Sequence, residues 1–254
     1  MMKTSVVTGG ASGIGLELVK LLIEDNYKVF IVDNNSENLK KLEKLLNPKY
    51  FVGIKEDMSS LSSPKKIYRK LKDENIEVLI NNAGFGDYGK FYKTDWEKEE
   101  KMINLHVVNT THLTKLFLKD MVKKNNGKIM NISSVAAFQP GPLMSLYYAT
   151  KAYILHFTEA IANEVKDKNI CISALCPGQT KTNFQKNVSS KQNKIMFNVS
   201  CPVKVARYGY RALKANETIS IPGNFNKFLV FLNRLLPRLL VTKIVRYIQE
   251  KNRN

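Results

Sequence analysis

Tyr147 and Lys151 stand four residues apart in a stretch of helical periodicity, so a phenol and an ammonium share one helix face. A free phenol has a pKa of about 10, too high for an efficient base at neutral pH, and a nearby cation lowers it by about one to three units. The pair can therefore give or take a proton at a substrate oxygen. Thirteen residues earlier, Asn131-Ile132-Ser133-Ser134 closes a strand-like run and offers hydroxyl donors. Taken singly, each feature has an ordinary use: a serine makes turns, and Tyr-x-x-x-Lys occurs by chance.

A second constellation lies at the start of the chain. Thr8-Gly9-Gly10-Ala11-Ser12-Gly13-Ile14-Gly15 separates a β-rich run from a helix pattern of Leu16, Val19, Leu22 and Ile23. Glycine permits a tight turn and close approach of backbone to a phosphate, and the helix N-terminus favours its negative charge. The spacing is Gly-x-x-x-Gly-x-Gly rather than the common Gly-x-Gly-x-x-Gly. Asp33 ends the second β-rich run, where a carboxylate can accept hydrogen bonds from ribose hydroxyls and repels a 2′-phosphate. The glycine loop carries no Arg or Lys, and Asn34 supplies no cation, which favours NAD over NADP without excluding NADP. Asp is also a common helix cap, and Asp33 alone leaves both uses open.

Taken in order, these motifs resemble the short-chain dehydrogenase/reductase family over about residues 3–185. The resemblance implies an NAD(P)-dependent oxidoreductase that interconverts a secondary alcohol and a ketone. Tyr147 would be its general acid/base, with Tyr148 off the family spacing. Lys151 would lower the phenol pKa and hold the nicotinamide ribose. Ser134 would bond the substrate oxygen, and Asn104 in Ile103-Asn104-Leu105 would hold a water in a proton relay. For the cofactor, it implies contacts at Gly9, Ser12, Gly13, Ile14, Gly15 and Asp33. Asp57 would meet the adenine amino group, although it is equally placed to cap a helix. In Asn81-Asn82-Ala83-Gly84, Asn81 would steady the sheet while Ala83 and Gly84 lie beside the adenosine ribose. Pro177 and Gly178 match a family turn, with Thr180 and Thr182 at the nicotinamide carboxamide.

These residues need a scaffold that brings strand ends together. Short β-rich runs at 4–8, 28–32, 50–54, 78–80, 128–132, 171–175 and 218–221 alternate with helix-patterned stretches. That alternation predicts an α/β fold: a Rossmann-type, doubly wound parallel sheet of about seven strands with helices on both faces. With 254 residues and 44% hydrophobic content, one catalytic domain over 1–224 is expected. A polar, aperiodic stretch at 183–202 reads as a substrate loop, with Gln139, Leu143, Phe184, Ile195, Met196 and Phe197 as candidate pocket walls.

Residues 225–254 form a basic amphipathic arm, with apolar positions Phe228, Leu229, Phe231, Leu232, Leu235 and Leu236, then Leu239, Leu240, Ile244, Val245 and Ile248 beyond Pro237. Three fates suit it: packing over the pocket or a partner subunit, contact with an anionic membrane surface, or a solvated helix with its apolar face on the core. Apolar stripes usually meet protein, which favours the first. Lys and Arg number 40 against 22 acids, giving a net charge of +18, but the cations are scattered and no nucleic-acid motif accompanies them. Cys171, Cys176 and Cys201 match no metal or redox spacing and are expected as buried thiols, and His106, His112 and His156 as surface or packing residues. Neither a signal peptide nor a run of eighteen apolar residues is visible, so the expected setting is cytoplasmic, with the arm as a route to peripheral membrane contact. By analogy a homo-oligomer is expected. The competing functions are a non-catalytic dinucleotide-binding regulator and a membrane-surface protein on the same fold.

Overall fold

The computed structural model describes residues 2–182, 184, 188 and 199–253. Seven parallel strands form one sheet: β1 (Lys3–Thr8), β2 (Tyr27–Asp33), β3 (Phe51–Lys55), β4 (Ile76–Asn81), β5 (Gly127–Ile132), β6 (Ile170–Leu175) and β7 (Ile219–Ser220). Their order is β3-β2-β1-β4-β5-β6-β7. Each strand expected from the sequence is present within two residues at either end, and the last is the shortest.

Helices α1 (Gly13–Glu24), α2 (Ser36–Leu45), α3 (Ser63–Lys70), α4 (Trp96–Ile103), α5 (Thr110–Lys124), α6 (Ser145–Glu164) and α7 (Pro202–Lys214) cover the sheet. The pleat sends successive residues to opposite faces. Val7 thus joins Leu18, Val19 and Leu22 of α1, while its neighbour Val6 joins Leu113 and Phe117 of α5. Both valines are fully buried, as a central parallel strand requires. After β3 the chain crosses back to β4 on the other side of β1. The resulting switch point opens a crevice at the carboxyl ends of β1 and β4.

The helical run around Asn104 is interrupted. Between α4 and α5, residues Asn104–Asn109 form a widened π turn, braced by the Thr110 hydroxyl donating to the Leu105 carbonyl at 3.0 Å. Such turns re-aim side chains and recur at functional sites. Here Leu105, His106 and Asn109 are buried while Asn104 is half-buried. Asn109 donates from Nδ2 to the carbonyls of Met58 (2.6 Å) and Ser60 (2.8 Å), which ties down the loop after β3.

The C-terminal arm folds as α8 (Asn224–Leu235) and α9 (Arg238–Arg253), separated by Pro237. It docks through Asn226, Val230, Val241 and Val245, all buried. The larger apolar residues point away: Phe228, Leu235 and Leu239 are 59%, 66% and 79% exposed. The expected packing over the pocket is thus made by the valines, Val245 of the stripe among them, while much of the Phe/Leu part of the stripe faces outward. Cys171 and Cys176 are buried, but Cys201, also expected to be buried, is exposed at the start of α7. Within the proposed substrate loop, Ile195, Met196 and Phe197 lie outside the described residues.

Candidate active site

A cavity of about 530 Å³ opens at the carboxyl ends of the strands. One end is formed by the β1–α1 turn. Gly9 has φ +62°, and a Cβ there would sit 2.8 Å from the Cα of Ala83. A Cβ on Gly15 would come within 2.4 Å of Asn82 Nδ2 and 2.3 Å of the Gly9 carbonyl. Glycine at both positions thus lets the turn seat against the β4 loop. The Thr8 hydroxyl accepts from the backbone N–H groups of Asn82 (3.0 Å) and Ala83 (3.1 Å), and Asn82 Nδ2 donates to the carbonyls of Thr8 and Gly9.

The first intrahelical bond of α1 runs from Leu16 N–H to the Ser12 carbonyl. The N–H groups before Leu16 have no helical acceptor, and Gly13 and Ile14 line the cavity. Those donors and the helix dipole suit a pyrophosphate. Asp33 is held at the end of β2 by N–H groups of Ala11 (3.1 Å) and Asn35 (3.0 Å), leaving its carboxylate on the cavity wall. Asp57 also lines the cavity while Oδ1 accepts from the N–H and hydroxyl of Ser59, both at 2.9 Å, so it is a local cap as well. The donor set therefore fits a dinucleotide: orphan amides at the middle and a carboxylate at the ribose end.

At the other end, Tyr147 and Lys151 project from the start of α6. Lys151 is 4% exposed and donates from Nζ to the Ile132 carbonyl at 2.9 Å. Burial pushes its pKa down to about 8. Nζ lies 5.7 Å from the centre of the Tyr147 ring. Tyr147 is half-buried on the cavity wall; burial raises the pKa of its phenol above the usual value, while a hydrogen bond with Ser134 pulls the other way. The Ser134 hydroxyl also meets the Pro177 carbonyl at 3.4 Å and caps the following turn through Ala136 N–H. Pro177, Gly178, Thr180 and Thr182 complete this wall, with Thr180 donating to the Gly178 carbonyl at 3.0 Å.

The cavity wall includes all but three of the catalytic and cofactor positions singled out in the sequence; of the expected pocket walls, Phe184 lines it, whereas Gln139 and Leu143 do not. Gly15 packs behind the turn. Asn81 points into the sheet, donating to Thr114 (2.9 Å) and to Asn131 (2.8 Å), which in turn donates to Thr158. Asn104 opens the π turn and does not line the cavity, because that turn presents the residues after it instead. A buried side chain beside Lys151 is His106, for which spacing alone predicts a surface or packing role. Its ring centre is 6.0 Å from that of Tyr147. Burial, and secondarily Lys151, keep its pKa well below the usual histidine value. The C-terminal arm also reaches the site: Gln249 lines the cavity and donates to the Tyr148 hydroxyl at 2.9 Å, and Asn233 bonds Gln139.

The family model for short chain dehydrogenases matches residues 3–193. The chain belongs to this family. A very-long-chain 3-oxoacyl-CoA reductase of Anas platyrhynchos is 31% identical over 72% of this short-chain dehydrogenase, which covers 61% of that relative's length. A 3-oxoacyl-[acyl-carrier-protein] reductase of Rickettsia prowazekii is 30% identical, with 75% and 78% of the two chains covered. A short-chain dehydrogenase from Sphingobium yanoikuyae in complex with NADPH has the same fold, with a TM-score of 0.81 at 24% identity over 88% and 89% of the chains.

Proposed function

We propose that this chain reduces and oxidises an apolar substrate between ketone and secondary alcohol, with NAD as the preferred cofactor. The observation that carries the reading is the meeting of the Tyr147 phenol, the Ser134 hydroxyl and the Lys151 ammonium in one cavity with the glycine turn and Asp33. When bound, a nicotinamide dinucleotide supplies the hydride donor or acceptor. Ser134 donates to the substrate oxygen and steadies its developing charge. Tyr147 gives that oxygen a proton in reduction and takes one back in oxidation. Lys151 stabilises the phenolate left behind. Phe85, Val135, Met144 and Phe184 contribute apolar side chains to the wall. That lining and the names of the relatives favour a 3-oxoacyl thioester or a similarly apolar carbonyl. A non-catalytic regulator has no need of Ser134, Tyr147 and Lys151 together in the cavity.

The test is oxidation of reduced nicotinamide with acetoacetyl-CoA and diacetyl as probe carbonyls. Turnover is expected with NADH preferred over NADPH by about tenfold or more, equivalent to about 1.4 kcal/mol of like-charge repulsion at Asp33. Asp33→Ser should narrow that preference. Tight dinucleotide binding without turnover on any carbonyl would favour the regulator instead.

We further propose that the arm rests on an anionic lipid surface. Among the described residues no helix is long and apolar enough to cross a membrane. Yet Phe228, Phe231 and Leu235 on α8, and Leu240, Ile244 and Tyr247 on α9, are between 42% and 66% exposed. Exposed Lys227, Arg234, Arg238, Lys243, Arg246 and Lys251 accompany them, against one acid, Glu250, which pairs with Arg246. An outward apolar stripe with cationic flanks matches the headgroup boundary. The chain should sediment with phosphatidylserine-containing vesicles and not with pure phosphatidylcholine, and high salt should release it. Combined Phe228→Ser, Phe231→Ser and Leu235→Ser should weaken binding by at least about tenfold, given roughly 1.5–3 kcal/mol per buried large apolar side chain. The proposal is overturned if the chain stays in solution with anionic vesicles at low salt, or if the stripe instead joins two copies into a dimer that these changes dissociate.

A further inference from the structure

His106 is fully buried, and its Nδ1 lies 2.9 Å from the Thr150 hydroxyl. Thr150 has one proton to give, and it goes to the Tyr147 carbonyl at 2.9 Å. The Thr150 oxygen must therefore accept from His106, which places the ring proton on Nδ1. Nε2 is then a bare acceptor, and among the described residues it has no hydrogen-bond partner. A buried acceptor left so is costly unless something meets it.

Two observations say what Nε2 faces. A Cβ placed on Gly84 would lie 2.8 Å from Nε2 and 3.7 Å from Lys151 Nζ, so both nitrogens front the same bare stretch of backbone. Lys151 spends one donor on the Ile132 carbonyl, and an ammonium has two more. We infer that His106 is a positioning residue: its Nε2 lone pair accepts from the Lys151 ammonium through one bridging water and holds that ammonium beneath Tyr147.

The chemistry suits the task. A neutral imidazole offers an acceptor without a second positive charge beside the lysine, and burial keeps it neutral. The π turn aims it, since an unbroken helix would present a different face. The role rests on the reductase reading of the site, but it adds a residue that the proton-transfer set did not contain.

The test compares His106→Leu, which removes both ring nitrogens at similar bulk, with His106→Asn and His106→Gln, which restore an amide. Acetoacetyl-CoA and diacetyl serve as probes with NADH, and thermal melting confirms folding. His106→Leu should keep the Kd for NADH within about threefold while kcat falls by about ten- to a hundredfold, the scale expected for disturbed acid–base machinery. The Asn or Gln variant should recover a substantial part of kcat. Wild-type kcat in His106→Leu would overturn the proposal. The 15N spectrum of imidazole-labelled protein gives a second readout, independent of turnover: a protonated Nε2 at neutral pH would overturn it as well. Failure of wild-type protein to turn over either probe would instead defeat the reductase reading, and the 15N spectrum would still decide the tautomer.

Discussion

Tyr147→Phe is expected to leave a folded protein that binds NADH normally and reduces a probe ketone about a thousandfold more slowly, within the usual range for loss of a general acid. The ring contributes packing that phenylalanine retains: its centre lies 5.4 Å from Phe184 and 6.0 Å from His106. Only the hydroxyl is lost. Ser134 keeps its contact with the Pro177 carbonyl, so no buried donor is stranded. In the free protein burial raises the phenol pKa, so the group is fully protonated at neutral pH and ready to donate. Reduction should therefore run without a pH limb from Tyr147 near neutrality, whereas oxidation, which needs the phenolate, should quicken as pH rises. Single-turnover reduction at saturating NADH measures the chemical step directly. A variant within tenfold of wild type would show that another group delivers the proton.

What could be read from the sequence was whatever depends on local spacing. The pairing of Tyr147 with Lys151 needs only 3.6 residues per turn, and the turn from Thr8 to Gly15 needs only a strand, glycines and a helix start. Alternating β-rich and helical runs likewise dictated a parallel sheet, and Val6 and Val7 facing opposite cores follow from it. Asn81 and Asn104 lie off the cavity wall for different physical reasons. Asn81 belongs to a strand, so its side chain and that of Asn82 point to opposite sides, and it is Asn82 that meets the glycine turn. Asn104 opens a π turn, and no residue type in Asn104–Asn109 announces it. His106 could have been flagged only by its place between buried Leu105 and half-buried Val107. The arm illustrates a further limit. Periodicity separated its two faces, but not which one would dock, because Val230, Val241 and Val245 fit the domain surface where Phe228 and Leu235 do not.

Lys151→Met should make the protein more stable at pH 7 while removing most of its activity. The lysine is buried, its one direct hydrogen-bond partner among the described residues is the Ile132 carbonyl, and its pKa falls from 10.5 to about 8 on folding. A lowered lysine pKa means that the folded state holds the proton less tightly than the unfolded state. Below about pH 8 both states are charged, and the folded state bears the whole cost. Between about pH 8 and 10.5 the unfolded chain binds more protons, so stability should rise with pH, and above that range the cost is gone. A shift of this size corresponds to about 3 kcal/mol. Methionine keeps the length and apolar stem but leaves the Ile132 carbonyl unmet, which costs about 1 kcal/mol. The net gain at pH 7 is about 2 kcal/mol, or roughly 4–8 °C in Tm for a chain of this size. The rise in stability between pH 8 and 10.5 should flatten in the variant, which urea unfolding at several pH values can measure. If Lys151→Met were less stable at pH 7 and kept the wild-type slope, the ammonium would not be the strained group. A gain in stability with a loss of turnover would identify Lys151 as a charge that folding opposes and only the reaction requires.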